Sequence, residues 1–464
     1  MKHYHTKSAI LNQQLIALPA PQNAIRLAML FQLERTQWLP AAEIRELQLN
    51  QCGIILKHAQ STVPYYRELW AKGGINLPET ITEEFFSQLP ITRRQDVQEA
   101  GEKFVTKSLP PEHGKIDFAT TSGSTGRPVR FGRTGLTNLC WLVFALREHL
   151  WHARDFLGKL SAIRWAKLGV ATAPDGMSSP NWGEVIDPIF PTGPSSLLNV
   201  TAKLSEQLEW LHREKPSYLI SFPSNLSALS QYAQQNGLKL PQVRQIRVVG
   251  ETLTAEMRKF LVDSWNTSVV DMYTCEEVGY LATQCPQAEH FHVQSENVIL
   301  EIVDDQGRPC PVGVTGRVLI TSLNNFATPL IRYELGDYAE FGPPCACGRG
   351  LPVIKRIQGR KRNRLIMPDG DSRYSLFPYL GEHGQIASVT GVKVKQFQCV
   401  QHTLHRVEIK LVTEREFTLE EQARVTQLMH GHLGYPFEIF YTFLEDIPRG
   451  PNGKFEEFVS LVEA

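Results

Sequence analysis

The sequence lacks long apolar runs, an excess of either charge and a dense set of cysteines. No stretch approaches the ~18 consecutive apolar residues of a membrane span, and Met1–Ser8 does not form an apolar leader. The 48 Lys and Arg residues balance 48 Asp and Glu residues, so no electrostatic surface for nucleic acid or an anionic membrane is expected. Eight cysteines in 464 residues do not make a disulfide scaffold. These absences predict a cytoplasmic protein without nucleic-acid or membrane partners.

The composition is that of a globular protein with a sizeable core. Hydrophobic residues make up 42% and charged residues 21% of the chain. The length fits roughly three units of about 150 residues, or one large and one small domain. Helical periodicity is present in 21–60 and 136–157, and two short strands are expected within 116–133. The short apolar runs Leu219–Phe222 and Ile246–Val249 are each followed by a helical pattern, which predicts an α/β fold with parallel strands.

The last hundred residues form a separate pattern. A β-rich stretch over 293–341 is followed by the dense basic segment Gly359–Arg364, which is plausible as a hinge. Strand-like and helical patterns then alternate to the end of the chain. We therefore predict a domain over 1–357 and a small α/β domain over 358–464. We expect the histidines of the His430–His432 segment to lie in a loop.

Residues 120–128 read Thr-Thr-Ser-Gly-Ser-Thr-Gly-Arg-Pro. The glycines allow backbone N–H groups to curl around an anion, the hydroxyls add donors, and Arg127 adds positive charge. The segment lacks both the Gly-Lys-Ser/Thr of a Walker loop and the Gly-x-Gly-x-x-Gly of dinucleotide folds. The pattern leaves two interpretations, a phosphate-binding loop or a hairpin turn between Phe118 and Val129.

This loop resembles the nucleotide-phosphate loop of adenylate-forming enzymes, which are the acyl-CoA synthetases, adenylation domains and luciferases. Later segments resemble that family in the same order: Gly250–Thr254, Asp271–Gly279, Pro329–Asp337, Ile357–Arg360 and Ile447–Phe455. The resemblance implies a large N-terminal domain of stacked β-sheets and helices with a small mobile C-terminal α/β domain. It also implies that ATP is bound by Thr121, Ser122, Gly123, Ser124, Thr125, Gly126, Gly250, Glu251, Thr252, Tyr273, Asp337 and Arg360.

The resemblance also assigns individual roles. It implies that Tyr273 packs on adenine, that Glu277 holds Mg²⁺ and that Asp337 accepts hydrogen bonds from the ribose hydroxyls. Arg360 is expected to reach ribose or phosphate. Lys454 is expected to neutralise charge while a carboxylate attacks the α-phosphate.

Three positions depart from the family pattern. Thr274 and Glu276 replace the usual Gly and Thr, so a second carboxylate stands beside Glu277. Arg362 stands at the hinge pivot, where the family usually has Asp.

The segments Val63–Leu69 and Leu89–Thr92 are similar to the phenylacetate–coenzyme A ligase branch of this family. That similarity implies an AMP-forming acid–thiol ligase, acting on an aryl or acyl acid with coenzyme A as the acceptor. A carrier-protein thiol or an amine is the alternative acceptor, and a non-catalytic sensor of the same fold is the alternative function. A monomer or a homodimer is expected.

A Cys-x-Cys pair and an earlier cysteine form a candidate metal site. Cys345 and Cys347 flank Ala346, and Cys285 lies sixty residues earlier, followed by His290 and His292. Three thiols and one imidazole make a closed tetrahedral zinc site, which would be structural. We predict Cys285, His292, Cys345 and Cys347 as the ligands, with His290 as the alternative histidine.

Overall fold

The computed structural model describes residues 21–121, 129–167, 169–360, 364–369, 372–374, 385–448, 455–456 and 458–462. Its α-helices are α1 (Pro21–Thr36), α2 (Ala41–Thr62), α3 (Pro64–Lys72), α4 (Glu83–Gln88), α5 (Arg94–Ala100), α6 (Gly135–Trp151), α7 (Leu204–Glu214), α8 (Pro223–Gln235), α9 (Ala255–Trp265), α10 (Gln385–Thr390) and α11 (Leu419–Leu433). Every described helix is too short or too polar to cross a membrane.

The strands account for most of the rest. They are β1 (Asp117–Thr121), β2 (Val129–Arg133), β3 (Leu160–Arg164), β4 (Met177–Ser179), β5 (Ser195–Asn199), β6 (Tyr218–Ser221), β7 (Gln245–Val248), β8 (Ser268–Cys275), β9 (Gly279–Gln284), β10 (Phe291–Val293), β11 (Val298–Val303), β12 (Thr315–Ser322), β13 (Tyr333–Phe341), β14 (Val353–Arg360), β15 (Arg364–Ile366), β16 (Ser372–Tyr374), β17 (Val394–Thr403), β18 (Arg406–Thr413), β19 (Glu438–Phe443) and β20 (Phe458–Ser460).

The first of two compact units lies within residues 1–159, 179–195 and 270–357. Its strands lie in the order β11–β12–β13–β14–β10–β9–β8, and β10 pairs antiparallel with both β9 and β14. The core of this unit buries large side chains, among them Tyr66, Trp70 and Phe131. The predicted pair of strands within 116–133 is present as the antiparallel hairpin β1–β2.

Helix α6 begins at a reciprocal cap. Thr134 Oγ1 accepts the amide of Thr137 at 3.2 Å, and Thr137 Oγ1 accepts the amide of Thr134 at 2.7 Å. Two of the unpaired N–H groups at the helix start are thereby satisfied. The cap fixes the start of the helix directly after β2.

The second unit lies within residues 160–178, 196–269 and 358–464. Strand β6 pairs parallel with β3 and with β7, which confirms the prediction of parallel strands at Leu219 and Ile246. The crossover helices α7, α8 and α9 cover a core that includes Trp210, Leu219 and Trp265.

The C-terminal residues have a core of their own. A second sheet has the strand order β19–β18–β17–β20, and its apolar side chains pack against α11. The chain passes from the first unit to the second between Ile357 and Gln358, inside β14. This passage coincides with the predicted domain boundary, although the second unit also contains two earlier segments. The two-domain division therefore stays a prediction.

The expectation that His430 and His432 lie in a loop is wrong. Both belong to α11, which ends one residue before Gly434, whose φ is +69°. Val425, Met429 and Leu433 bury the inner face of the helix, and this packing outweighs the helix-weakening effect of Gly431. The glycine that ends the helix is thus Gly434.

Candidate functional site

Two residues predicted to bind the nucleoside meet in the first unit. Tyr273 lies on β8 and Asp337 on β13, and the Tyr273 hydroxyl donates to Asp337 Oδ2 at 2.7 Å. The two residues are 64 positions apart in sequence, so the fold brings them together. A carboxylate has about four lone-pair positions, so the bond from Tyr273 leaves capacity for further donors such as sugar hydroxyls.

The two neighbouring carboxylates, Glu276 and Glu277, have different surroundings in the structure. The side chain of Glu276 is 64% exposed and pairs with Arg133, whose Nη2 lies 2.8 Å from Glu276 Oε2. Arg133 Nη2 also donates to the backbone carbonyl of Glu276. Glu277 is only 8% exposed and lines a cavity. Because Glu276 is occupied at the surface by Arg133, Glu277 is the carboxylate whose chemistry and position fit an Mg²⁺ ligand.

The cavity beside Glu277 has a volume of about 380 Å³. It is bounded by α6, by the β8–β9 connection and by the residues that follow β12. Its lining residues are Arg133, Thr137, Asn138, Trp141, Leu142, Glu184, Glu277, Val278, Gly279, Asn297, Ser322, Asn324 and Asn325. At Gly279, where φ is +85°, a Cβ atom would lie 2.8 Å from Trp141 Cε3, so this position requires glycine.

In the second unit, Glu251 joins two separate segments. Its Oε2 accepts the amide of Ser224 at 3.0 Å, in the first turn of α8. Its Oε1 accepts the amide of Phe455 at 2.6 Å. The segment Gly250–Thr254, which contains Glu251, is the predicted adenine-lining segment, since the resemblance assigns it to the adenine pocket. Phe455 directly follows Lys454 in sequence, so the residue after Lys454 is held at this segment.

The predicted hinge glycine packs against the same segment. Gly359 has φ of +78°, and a Cβ atom there would lie 2.7 Å from Thr252 Oγ1. Both the backbone conformation and the close approach therefore require glycine. Gly250, at the start of the segment, also has a positive φ of +80°.

Several predicted residues lie outside what the structure describes. Ser122, Gly123, Ser124, Thr125, Gly126, Arg362 and Lys454 are not among the described residues, and only the backbone is described for Thr121 and Arg360. Their assigned roles remain predictions from the resemblance.

The four predicted metal ligands come together in the first unit. The ligand atoms of Cys285, His292, Cys345 and Cys347 all lie within 4.8 Å of one another. Cys285 Sγ is 3.8 Å from Cys345 Sγ, and Cys347 Sγ is 3.3 Å from His292 Nε2. A tetrahedron with Zn–S bonds of 2.3 Å has edges of about 3.8 Å. The thiols are thus spaced for a shared ion and are too far apart for a disulfide.

Neighbouring groups orient these ligands. His292 Nδ1 lies 3.4 Å from the carbonyl oxygen of Leu351, which favours the tautomer that leaves Nε2 for a metal. The amide of Gln287 donates to Cys285 Sγ at 3.4 Å, and Arg349 Nη1 donates to Cys347 Sγ at 3.5 Å. N–H donors around sulfur stabilise thiolates, so the donor set fits zinc.

The pKa shifts of the cluster differ between its members, and at Cys285 a metal ion would have to displace a proton from the thiol. Burial lowers the pKa of His292 to about 4, so its imidazole is neutral, as a ligand must be. Burial raises the pKa of the Cys285 thiol to about 12. For Cys347 burial acts in the same direction, but hydrogen bonds from Arg349 hold its pKa below the ordinary value. His290 stands outside the cluster, with its ring centroid 5.4 Å from that of His292.

Some residues of these sites were not predicted. Arg133 stands at the end of β2, directly after the loop, and its charge at that place was an available signal. The contacts of Glu251 with Phe455 and of Trp141 with Gly279 span 204 and 138 positions, and no local pattern marks them. The sequence offers five aromatic residues for an apolar acid pocket, Trp141, Phe144, Trp165, Trp182 and Phe222. Of these five, Trp141 lines the cavity beside Glu277, whereas Trp165 is 47% exposed.

Comparison with family models gives two matches. Residues 193–328 match the model described as AMP-binding enzyme, and residues 383–460 match the CapK C-terminal domain. The first range includes the Gly250 and Tyr273 segments, and the second includes the position of Lys454.

Individual relatives cover most of the chain. The phenylacetate-coenzyme A ligase of Thermus thermophilus is 23% identical over 355 residues, which are 73% of this chain and 75% of that protein. Protein CapK of Staphylococcus aureus is 21% identical over 443 residues, covering 89% and 88%. Among solved structures, 2-hydroxyisobutyryl-CoA ligase with R3-HIB-AMP aligns with a TM-score of 0.69 at 16% identity, over 92% of this chain and 91% of that chain. This likeness confirms the predicted fold class.

Proposed function

We propose that the chain activates a carboxylic acid with ATP and passes the acyl group to a thiol. The proposal starts from the chain's membership of the adenylate-forming superfamily and of its phenylacetate–coenzyme A ligase-like branch. The observation that carries the proposal is the bond between Tyr273 and Asp337, two residues to which the resemblance assigns one nucleoside. The reported ligases differ in their acid, phenylacetate in one and 2-hydroxyisobutyrate in the other, and share coenzyme A as the acceptor.

Two half-reactions follow from this assignment. The acid's carboxylate attacks the α-phosphate of ATP, which yields an acyl-adenylate and pyrophosphate. A thiol then attacks the acyl carbon, and AMP leaves. Glu277 would hold Mg²⁺, which when bound supplies positive charge opposite the phosphate oxygens. Asp337 would bind the ribose hydroxyls, and Tyr273 would both pack on adenine and orient Asp337.

Lys454 is proposed as the residue that neutralises charge during the first half-reaction. The contact between the Phe455 amide and Glu251 supports this role, because it holds the neighbouring backbone at the predicted adenine-lining segment. Arg360 is proposed to contact ribose or phosphate. We further propose that the C-terminal domain begins at Gln358.

The acceptor is proposed to be coenzyme A. A carrier-protein thiol or an amine would take the same acyl-adenylate.

Zinc is proposed as a structural ion at the cluster of Cys285, His292, Cys345 and Cys347. Four protein ligands leave no open coordination position, so the ion would stabilise the fold rather than take part in the reaction. The cluster connects the turn between β9 and β10 with the segment that precedes β14.

The test is a carboxylic-acid panel read by pyrophosphate release, with ATP alone, with coenzyme A and with hydroxylamine. The proposal predicts acid-dependent pyrophosphate release, a thioester when coenzyme A is present, and loss of release in Lys454→Ala. Pyrophosphate release without a thioester would indicate another acceptor. Binding of ATP or acid without any release would instead support a non-catalytic sensor.

A further inference from the structure

If the proposed function holds, the cavity beside Glu277 is a candidate to hold the acid's carbon skeleton, because Glu277 is the predicted ligand of the ion opposite the phosphates. Glu277 and Gly279 border it from the β8–β9 connection, and Asn138 and Trp141 border it from α6. Asn138 and Trp141 are three positions apart and therefore share one face of the helix. The cavity thus extends from the predicted Mg²⁺ ligand to a helix face with one aromatic and one amide side chain.

The lining is unusually polar for an acyl pocket. Nine of its thirteen residues have polar or charged side chains, and Trp141, Leu142 and Val278 supply the apolar surface. Ligand pockets are ordinarily lined mainly by apolar side chains with a few polar groups. An unsubstituted aryl or alkyl group could contact Trp141, Leu142 and Val278, but it would also cover polar side chains of the lining.

The charged groups of the lining face other charges. Arg133 pairs with Glu276 at 2.8 Å, and Glu184 Oε1 lies 3.4 Å from Arg26 Nη2. Glu277 has the predicted metal role. The other polar side chains of the lining are neutral, which fits a neutral polar ligand better than a second carboxylate or an ammonium group.

The asparagine side chains of the lining differ in whether the fold uses their hydrogen-bonding groups. Asn325 and Asn297 are used by the fold, since Asn325 Nδ2 donates to Gly132 O and Asn297 Nδ2 donates to Tyr280 O. Asn138 is an exposed residue, and its carboxamide makes no hydrogen bond with the described residues, so it is available to a ligand.

Two further lining residues, Asn324 and Ser322, have atoms that can still form a hydrogen bond. Asn324 Nδ2 donates to the carbonyl oxygen of Glu296, so the side-chain oxygen of Asn324 can still accept a hydrogen bond. Ser322 Oγ accepts the amide of Leu330, and the hydroxyl proton of Ser322 has no acceptor among the described residues. These groups offer both donors and acceptors to a ligand.

We infer that the acid carries hydroxyl groups and that Asn138 is a specificity-determining residue for them. A hydroxyl both donates and accepts, which matches the mixed donors and acceptors of Asn138, Ser322 and Asn324. An acid without hydroxyls would remove water from these side chains without replacing its hydrogen bonds. Sites built to bind a substrate hydroxyl reject the analogue that lacks it by large factors, up to about 10⁴ or more.

The test compares pairs of acids that differ only by hydroxyl groups. Suitable pairs are isobutyrate with 2-hydroxyisobutyrate, butyrate with 3-hydroxybutyrate, and phenylacetate with its 2-, 3- and 4-hydroxy derivatives. We expect kcat/KM for pyrophosphate release to favour the hydroxylated member at least tenfold in one or more pairs. Asn138→Leu should reduce that ratio at least fivefold, mainly by slowing the hydroxylated acid.

Asn50→Leu is the matched control, because Asn50 is exposed on α2 and the substitution is the same. It should leave the ratio unchanged. Thermal unfolding checks that Asn138→Leu folds, and Asn138→Ala serves if it does not. Equal or faster reaction of the unsubstituted acids in every pair would overturn the inference, as would an unchanged ratio in the Asn138 variants. Preference for amine-bearing acids would also overturn it, whereas absence of release with every acid would contradict the proposed function itself.

Discussion

The contact between Glu251 and Phe455 leads to a prediction that separates the two half-reactions. Glu251 accepts one backbone amide from α8 and one from the residue after Lys454, at 3.0 and 2.6 Å. In Glu251→Gln one oxygen remains as an acceptor, but the other becomes an NH₂ group that faces an N–H donor. The variant should therefore lose one charge-assisted hydrogen bond and gain a donor–donor contact.

The expected magnitude follows from the bond that is lost. A hydrogen bond to a charged group contributes about 1.5–3 kcal/mol. If that free energy holds the Lys454 segment in place for adenylation, its loss slows acyl-adenylate formation by roughly 10- to 150-fold, since about 1.4 kcal/mol corresponds to tenfold. Transfer from a pre-formed acyl-adenylate to coenzyme A does not need Lys454 and should change by less than about threefold.

The assay measures ATP–pyrophosphate exchange and, separately, thioester formation from synthetic acyl-adenylate. Glu209→Gln is the matched control, because Glu209 is exposed on α7 and the charge change is identical. A rise in KM for ATP at unchanged kcat would indicate that Glu251 acts in nucleotide binding alone. That result, or equal slowing of both half-reactions, would refute the positioning role.

Three further predictions concern other parts of the molecule. Purified protein should contain about one zinc ion per chain. The variant Cys347→Ser should lose most of this zinc, and its Tm should be lower by on the order of 10 °C. An unchanged Tm in the variant, together with no metal in the wild type, would contradict the zinc site. Tyr273→Phe keeps the ring but removes the bond to Asp337, worth about 1 kcal/mol, so KM for ATP should rise roughly fivefold at nearly constant kcat. Hydrogen bonds from Arg415 lower the pKa of Glu421 from 4.5 to about 2, so this carboxylate stabilises the fold above pH 4.5 and loses that effect as the pH falls towards 2. Glu421→Gln should flatten this part of the urea-unfolding profile, and parallel profiles for variant and wild type would contradict the assignment.

The elements that sequence analysis predicts well are those with local causes. The parallel strands β6 and β7 are short apolar runs with clear boundaries, and the Cys-x-Cys pair is visible as a metal-binding pattern. The loop expected at His430–His432 is part of α11 instead, because Gly431 lies inside the helix and Gly434 follows its end. The buried face of the helix decides between them, and burial depends on tertiary packing.

The less predictable features are contacts across long stretches of chain. The sequence places Glu276 and Glu277 side by side with equal chemistry, and it does not reveal that Arg133, 143 residues earlier, pairs with Glu276 while Glu277 is buried. The cavity composition is a similar case, since Asn138, Ser322 and Asn324 come from two distant segments. Resemblance to a family identifies a nucleotide site, but it does not reveal which side chains border the acid.

The candidate metal cluster shares one sheet of the first unit with Tyr273 and Asp337, and this could connect the stability of the sheet to the candidate nucleotide site. Strand β10 carries His292 and pairs with β9, which in turn pairs with β8, the strand that carries Tyr273. Cys345 and Cys347 precede β14, the other neighbour of β10. An ion at the cluster would hold β9, β10 and β14 at one end, so the register of β8 against β9 would depend on it. A structural metal can thereby preserve the Tyr273–Asp337 contact without touching the nucleotide.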